Sequence, residues 1–103
     1  MIQNNGKIVV QVDSFLEELI PVYLSNRKKD VLDILQALEQ GDFETVRFLG
    51  HNMRGSGGGY GLIFFSDIGH CLEVAAQDKD TELIRKHLIE ITNYLEKIDV
   101  IYV

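Results

Sequence analysis

The sequence predicts an all-α fold: an antiparallel four-helix bundle with a short extra N-terminal helix and short terminal strands that can pair. Three observations carry that expectation. Apolar residues recur at helical spacing through four successive segments. The connections between them are short, so neighbouring helices must run in opposite directions. At 103 residues the chain suits one domain around one hydrophobic core, so residues 1–103 are read as a single unit.

The elements follow in chain order. Residues 7–12, KIVVQV, are rich in β-branched side chains and read as a strand, as do residues 100–103, VIYV. Asp13 or Ser14 can cap a short helix through Phe15, Leu16, Leu19 and Ile20. Pro21 either opens the next helix at its first turn or kinks a continuous one. Leu24, Val31, Ile34, Leu35 and Leu38 then repeat on one face until Gly41 stops the helix. Asp42 is a good N-cap for a second helix bearing Phe43, Val46, Leu49 and Met53. Beyond Gly61 a third helix carries Leu62, Phe65, Ile68, Leu72, Ala75 and Ala76. Asp78 or Asp80 caps the last, with Ile84, Leu88, Ile91, Leu95 and Ile98 on one face. All these stripes are read as core.

Composition excludes several function classes. Hydrophobic residues make up 46% and charged residues 25%, the balance of a folded globular chain. A net charge of -6 repels phosphate backbones, which argues against nucleic acid as the main partner. The basic run Arg27-Lys28-Lys29 is read as a solvated helix face. Cys71 is the one cysteine, so no intrachain disulfide can form; a small buried apolar role in a reducing cytosol is expected. Residues 1–7 lack the charged start and apolar core of a signal peptide, and no apolar run approaches the ~18 residues of a membrane span. A cytoplasmic protein is expected. The run GSGGGY at 55–60 departs from G-x-G-x-x-G at Tyr60, and no βαβ unit or Walker lysine accompanies it. His51, His70, His87 and Cys71 show no metal-ligand spacing, so no metal or other cofactor is expected.

His51 is the residue that stands out. At about 100° per residue, Val46, Leu49, Met53 and Tyr60 fall within roughly 40° of the side opposite it. That arc must face the core, so His51 must face water. Its own face carries Glu44, Arg47, Phe48, Arg54, Gly55 and Gly58. Each glycine in a helix interior costs about 0.8–1 kcal/mol against alanine. Gly57 and Gly59 can be explained by close helix packing. Gly55 and Gly58 cannot, because they lie beside His51, where their missing side chains leave the imidazole open to a second protein. An exposed neutral imidazole is a nucleophile toward phosphorus. Arg47 and Arg54, one turn either side, can hold phosphate oxygens, and Phe48 is exposed enough to anchor a partner.

Residues 51–61, HNMRGSGGGYG, resemble the motif of histidine-containing phosphotransfer (HPt) domains: a histidine, two residues, a lysine, a glycine, a small residue and a later glycine. The preceding GDFETVRFLGH and the later DIGHCLE also look like that family, and the likeness covers roughly residues 15–95. It implies a four-helix bundle whose histidine shuttles phosphoryl groups between aspartates of receiver domains, in response regulators or hybrid sensor histidine kinases. The Mg²⁺ would belong to the receiver, and this chain would have no ATP-dependent kinase activity. By position His51 matches the phosphorylated histidine, Arg54 the basic residue and Gly55 the glycine behind it. Arg54 replaces the commoner lysine, which keeps the charge and changes the hydrogen-bond geometry. With no kinase, receiver or output region in the sequence, a stand-alone, monomeric relay protein is expected. The competing reading is a helical adaptor or inhibitor that docks a sensor kinase or receiver without transferring phosphate.

Overall fold

Breaks in the apolar pattern become the boundaries of the elements. The computed structural model describes residues 6–103; most of the N-terminal stretch read above for a leader lies outside the described residues. Strand β1 spans Ile8–Val12 and is followed by a 3₁₀ turn, Ser14–Leu16. Four helices follow: α1 (Ile20–Glu39), α2 (Phe43–Gly57), α3 (Ile63–Gln77) and α4 (Thr81–Lys97), and β2 (Ile98–Tyr102) closes the order. The chain is thus mostly helical with one small two-stranded sheet. Its strands run parallel, in register from Ile8 against Ile98 to Val12 against Tyr102. Parallel pairing needs a long crossover, and all four helices supply it.

Caps and turns account for the boundaries. The Asp13 carboxylate accepts the Phe15 N–H at 2.8 Å and closes a short 3₁₀ helix that ends at Leu16, while Ile20, expected in the same helix, opens α1. Pro21 sits in the first turn of α1, where its missing N–H costs nothing. Gly41, at φ +67°, reverses the chain, and Asp42 accepts the Thr45 N–H at 3.1 Å to start α2. Asp80, not Asp78, caps α4, accepting the Leu83 N–H at 3.1 Å. The last helix ends sooner than its periodicity suggests. Ile98 adopts extended backbone and opens β2, because the β-branched run beyond it finds a partner strand in β1.

One cluster of buried side chains unites the helices, with Ile34, Val46, Met53, Phe65, Leu72, Ile84 and Ile91 fully enclosed. Helix α1 packs on α2 and α4, and α3 packs on the same two. Tyr23, Tyr60, Phe64, Phe65 and Tyr94 form a chain of ring contacts between α1, α3, α4 and the 3₁₀ turn Gly58–Tyr60 that follows α2, with Phe64 stacked on Tyr94 at 3.9 Å. From β1, Val12 is buried, and Ile8, Val10, Ile98, Val100 and Tyr102 pack against the same core.

Four apolar expectations are overturned, first at Phe15 and Leu19, which are 90% and 51% exposed because a three-residue 3₁₀ turn presents no continuous face to the core. Leu35 belongs to the α1 stripe by spacing but is 36% exposed, because it borders a groove between α1 and α4 that neither helix fills. Cys71 is exposed, not buried, since the core side of α3 is already occupied by Phe65, Ile68, Leu72, Ala75 and Ala76. Among the described residues, no helix is long and apolar enough to cross a membrane.

Candidate functional site

Helix α2 presents His51 to solvent because Val46, Met53 and two glycines turn the opposite side into the core. The His51 side chain is 62% exposed, as the helical wheel predicts. It is also held. Its Nδ1 lies 3.1 Å from Oε2 of Glu73, a residue of α3. The other carboxylate oxygen, Oε1, accepts a hydrogen bond from a terminal nitrogen of Arg54 at 3.2 Å. Glu73 is 8% exposed, and it is the only buried charged residue among the described ones. A nearly buried carboxylate thus bridges an exposed imidazole and an exposed guanidinium.

The electrostatics of this triad are legible from its parts. Burial pushes the Glu73 carboxyl up, but hydrogen bonds and charge from His51 and Arg54 outweigh it and hold the group below the ordinary carboxylate range. An ionised carboxylate can only accept, so the imidazole must donate from Nδ1. The neutral ring then carries its proton on Nδ1, and its lone pair sits on Nε2. Among the described residues nothing hydrogen-bonds Nε2. The arrangement leaves one nitrogen fixed and the other free to react.

The remaining sequence-predicted residues sort into three groups. Arg54 joins the site, with only one of its donors committed to Glu73, so others remain for an incoming anion. Gly55 has nothing within 4 Å of where a Cβ would stand, and Gly58 only the Ser66 hydroxyl at 3.6 Å, so the face around the imidazole is open. Phe48 is 57% exposed, beside Asp33 and Gln36 of α1 and Gln40 just past its end. Arg47 differs from its expected role. It pairs with Glu44 one turn back, its Nε donating at 2.9 Å, and would have to leave that carboxylate to meet a phosphate. Gly57 does serve helix packing, since a Cβ there would meet the Ser66 backbone nitrogen at 2.6 Å. Gly59 does not: nothing lies near it.

Sequence reasoning missed Glu73. It lies 22 positions beyond His51 on another helix, so no local spacing connects them. The available signal was a carboxylate at the edge of the α3 apolar stripe, directly after the core residue Leu72. His70 is exposed, and His87 is engaged by Glu90 of its own helix at 3.1 Å. No group of three or more metal-ligand side chains gathers among the described residues.

In comparisons with protein-family models, characterised proteins and solved structures, nothing matches this chain.

Proposed function

We propose that this chain is a histidine phosphotransfer protein of a multistep, two-component phosphorelay, accepting a phosphoryl group on Nε2 of His51 and passing it to an aspartate of a receiver domain. The single observation that carries the reading is the fixed Nδ1 and free Nε2 of an exposed imidazole, set by a buried carboxylate. The likeness of residues 51–61 to the HPt motif supports it. The scaffold in this reading is an antiparallel four-helix bundle, at work in the cytoplasm as a monomer.

The chemistry follows from the geometry. The Nε2 lone pair attacks phosphorus as the bond from phosphorus to the receiver's aspartyl oxygen breaks, and the aspartate leaves as a carboxylate. The ring gains positive charge as the N–P bond forms. Glu73, hydrogen-bonded to Nδ1, offsets that charge and keeps the ring from turning, much as a carboxylate orients the imidazole of a hydrolase triad. Arg54 has free donors for the phosphoryl oxygens. Its bond to Glu73 also keeps the carboxylate in place for the histidine. Transfer onward is the same step reversed, with Mg²⁺ and the acceptor aspartate supplied by the receiver.

Incubation with a phosphorylated receiver and Mg²⁺ tests this. The protein should acquire an acid-labile, base-stable phosphate, and His51→Gln should acquire none while keeping its helical spectrum. Labelling that persists in His51→Gln would transfer the role to His70 or His87. A chain that binds the receiver yet takes up no label would instead be a docking adaptor.

A further inference from the structure

Helices α2 and α3 touch backbone to backbone directly beneath this site. A Cβ on Gly69 would lie 2.5 Å from the Arg54 nitrogen and 2.6 Å from the Gly50 oxygen. A Cβ on Gly50 would lie 2.9 Å from the Gly69 oxygen and 3.0 Å from the Glu73 nitrogen. All of these are closer than side-chain-bearing helices allow. Neither glycine needs a special backbone angle, since both sit inside helices with ordinary negative φ. Their lack of a side chain serves the approach of the two helices and nothing else.

The location of the contact matters more than its closeness. Gly50 immediately precedes His51 and lies four residues before Arg54; Gly69 lies four residues before Glu73. Each glycine is one helical turn from the site residue on its own helix and abuts the backbone of the one on the facing helix, Gly69 that of Arg54 and Gly50 that of Glu73. A glutamate side chain is short. From a helix standing further off, its carboxylate could not reach both the His51 Nδ1 at 3.1 Å and Arg54 at 3.2 Å while staying buried. We infer that Gly50 and Gly69 are positioning residues: their contact sets the α2–α3 distance at which Glu73 holds the imidazole with Nδ1 protonated and Nε2 free. The consequence for phosphoryl transfer rests on the carrier reading, whereas the consequence for the ring does not.

The ring ¹⁵N spectrum of His51 in the unphosphorylated protein reads the tautomer directly. Wild type is expected to show the Nδ1–H form. Gly69→Ala should shift the ring toward the mixture of a free imidazole. Gly50→Ala should shift it less, because its clashes are milder and the alanine's better helix propensity offsets part of the disturbance. Ile84→Ala, which opens a cavity on α4 away from the contact, should lower the melting temperature and leave the ring unchanged. Transfer from a phosphorylated receiver should slow on the order of tenfold in the glycine variants, with receiver affinity preserved. A folded glycine variant with a wild-type ring spectrum would overturn the inference, as would a wild type lacking the Nδ1–H form. Failure of both glycine variants to fold would make the contact a requirement of the fold and overturn it as well. A wild type that never takes up phosphate, but whose ring spectra change as described, would defeat the carrier reading and leave the positioning role standing.

Discussion

At the scale of single residues, the proposed relay function would divide its work between Glu73, which holds the His51 ring, and Phe48, whose exposed ring would grip the partner. Replacing Glu73 by glutamine keeps the shape and removes the charge, so transfer should slow by roughly ten- to a hundredfold while receiver binding holds. The same substitution has a pH signature. The Glu73 carboxyl is held below the ordinary range in the folded protein, chiefly by His51 and Arg54 acting against the upward push of burial. Its contribution to stability is therefore full above the ordinary carboxylate range. It is lost as the pH falls through that range toward the lower folded value. Melting temperatures of wild type and Glu73→Gln should differ most near neutral pH and converge in acid; a gap that widens in acid would refute the assignment. Phe48→Ala should weaken receiver binding by about 1 kcal/mol or more, with stability changed by no more than about 0.5 kcal/mol. Calorimetry of both quantities checks this, and a large fall in melting temperature would place Phe48 in the core.

Helix α2 ends in glycines that do different jobs, and substitution should separate them at the scale of the element. Gly58 has ordinary helical angles and room for a methyl group, with the Ser66 hydroxyl at 3.6 Å. Alanine there should stabilise the fold by up to about 0.8 kcal/mol. Glutamate adds bulk and negative charge on the face where the proposed function would bring phosphate, and should cut transfer while the fold survives. Gly61 is the contrast, at φ +73°, a left-handed turn that alanine would strain by about 1 kcal/mol or more. Thermal denaturation of Gly58→Ala and Gly61→Ala should therefore move in opposite directions. A destabilised Gly58→Ala, or a Gly58→Glu that transfers at the wild-type rate, would defeat the access argument.

Across the whole molecule, the sheet joins the two ends of the described chain. Val12 is buried, the Val103 N–H donates to its carbonyl at 2.9 Å, and the Ser14 N–H donates to the Val103 carbonyl at 2.9 Å. Val12→Ala should cost about 2 kcal/mol, roughly 10 °C in melting temperature, and leave the His51 ring spectrum unchanged. A disturbed ring would show that the strands and the site are coupled through the core. The chain also carries no nucleotide-binding motif. Mg-ATP alone should therefore neither label it nor be hydrolysed by it, and stoichiometric self-labelling would contradict that expectation.

The four helices, the Asp42 cap and the exposure of His51 were legible in the sequence, because each depends on residues within a turn or two of one another. Asp42 and Asp80 start helices through their own side chains, Gly41 stops one by its own backbone freedom, and the wheel around His51 needs only the helical repeat. Where a partner distant in sequence decides the outcome, local spacing fell silent or pointed the wrong way. Ile98 fits the α4 stripe yet becomes strand, because β1 waits at the other end of the chain to pair with it. Leu35 fits the α1 stripe yet stays 36% exposed, because α4 leaves that side unfilled. Arg47 turns to Glu44, and Cys71 faces outward once larger side chains take the inner face of α3. Glu73 became part of the site only when Gly50 and Gly69 let α2 and α3 meet backbone to backbone. Periodicity tells which way a side chain points from its own helix; the distance to the next helix, and so what that side chain can reach, exists only after the core has packed.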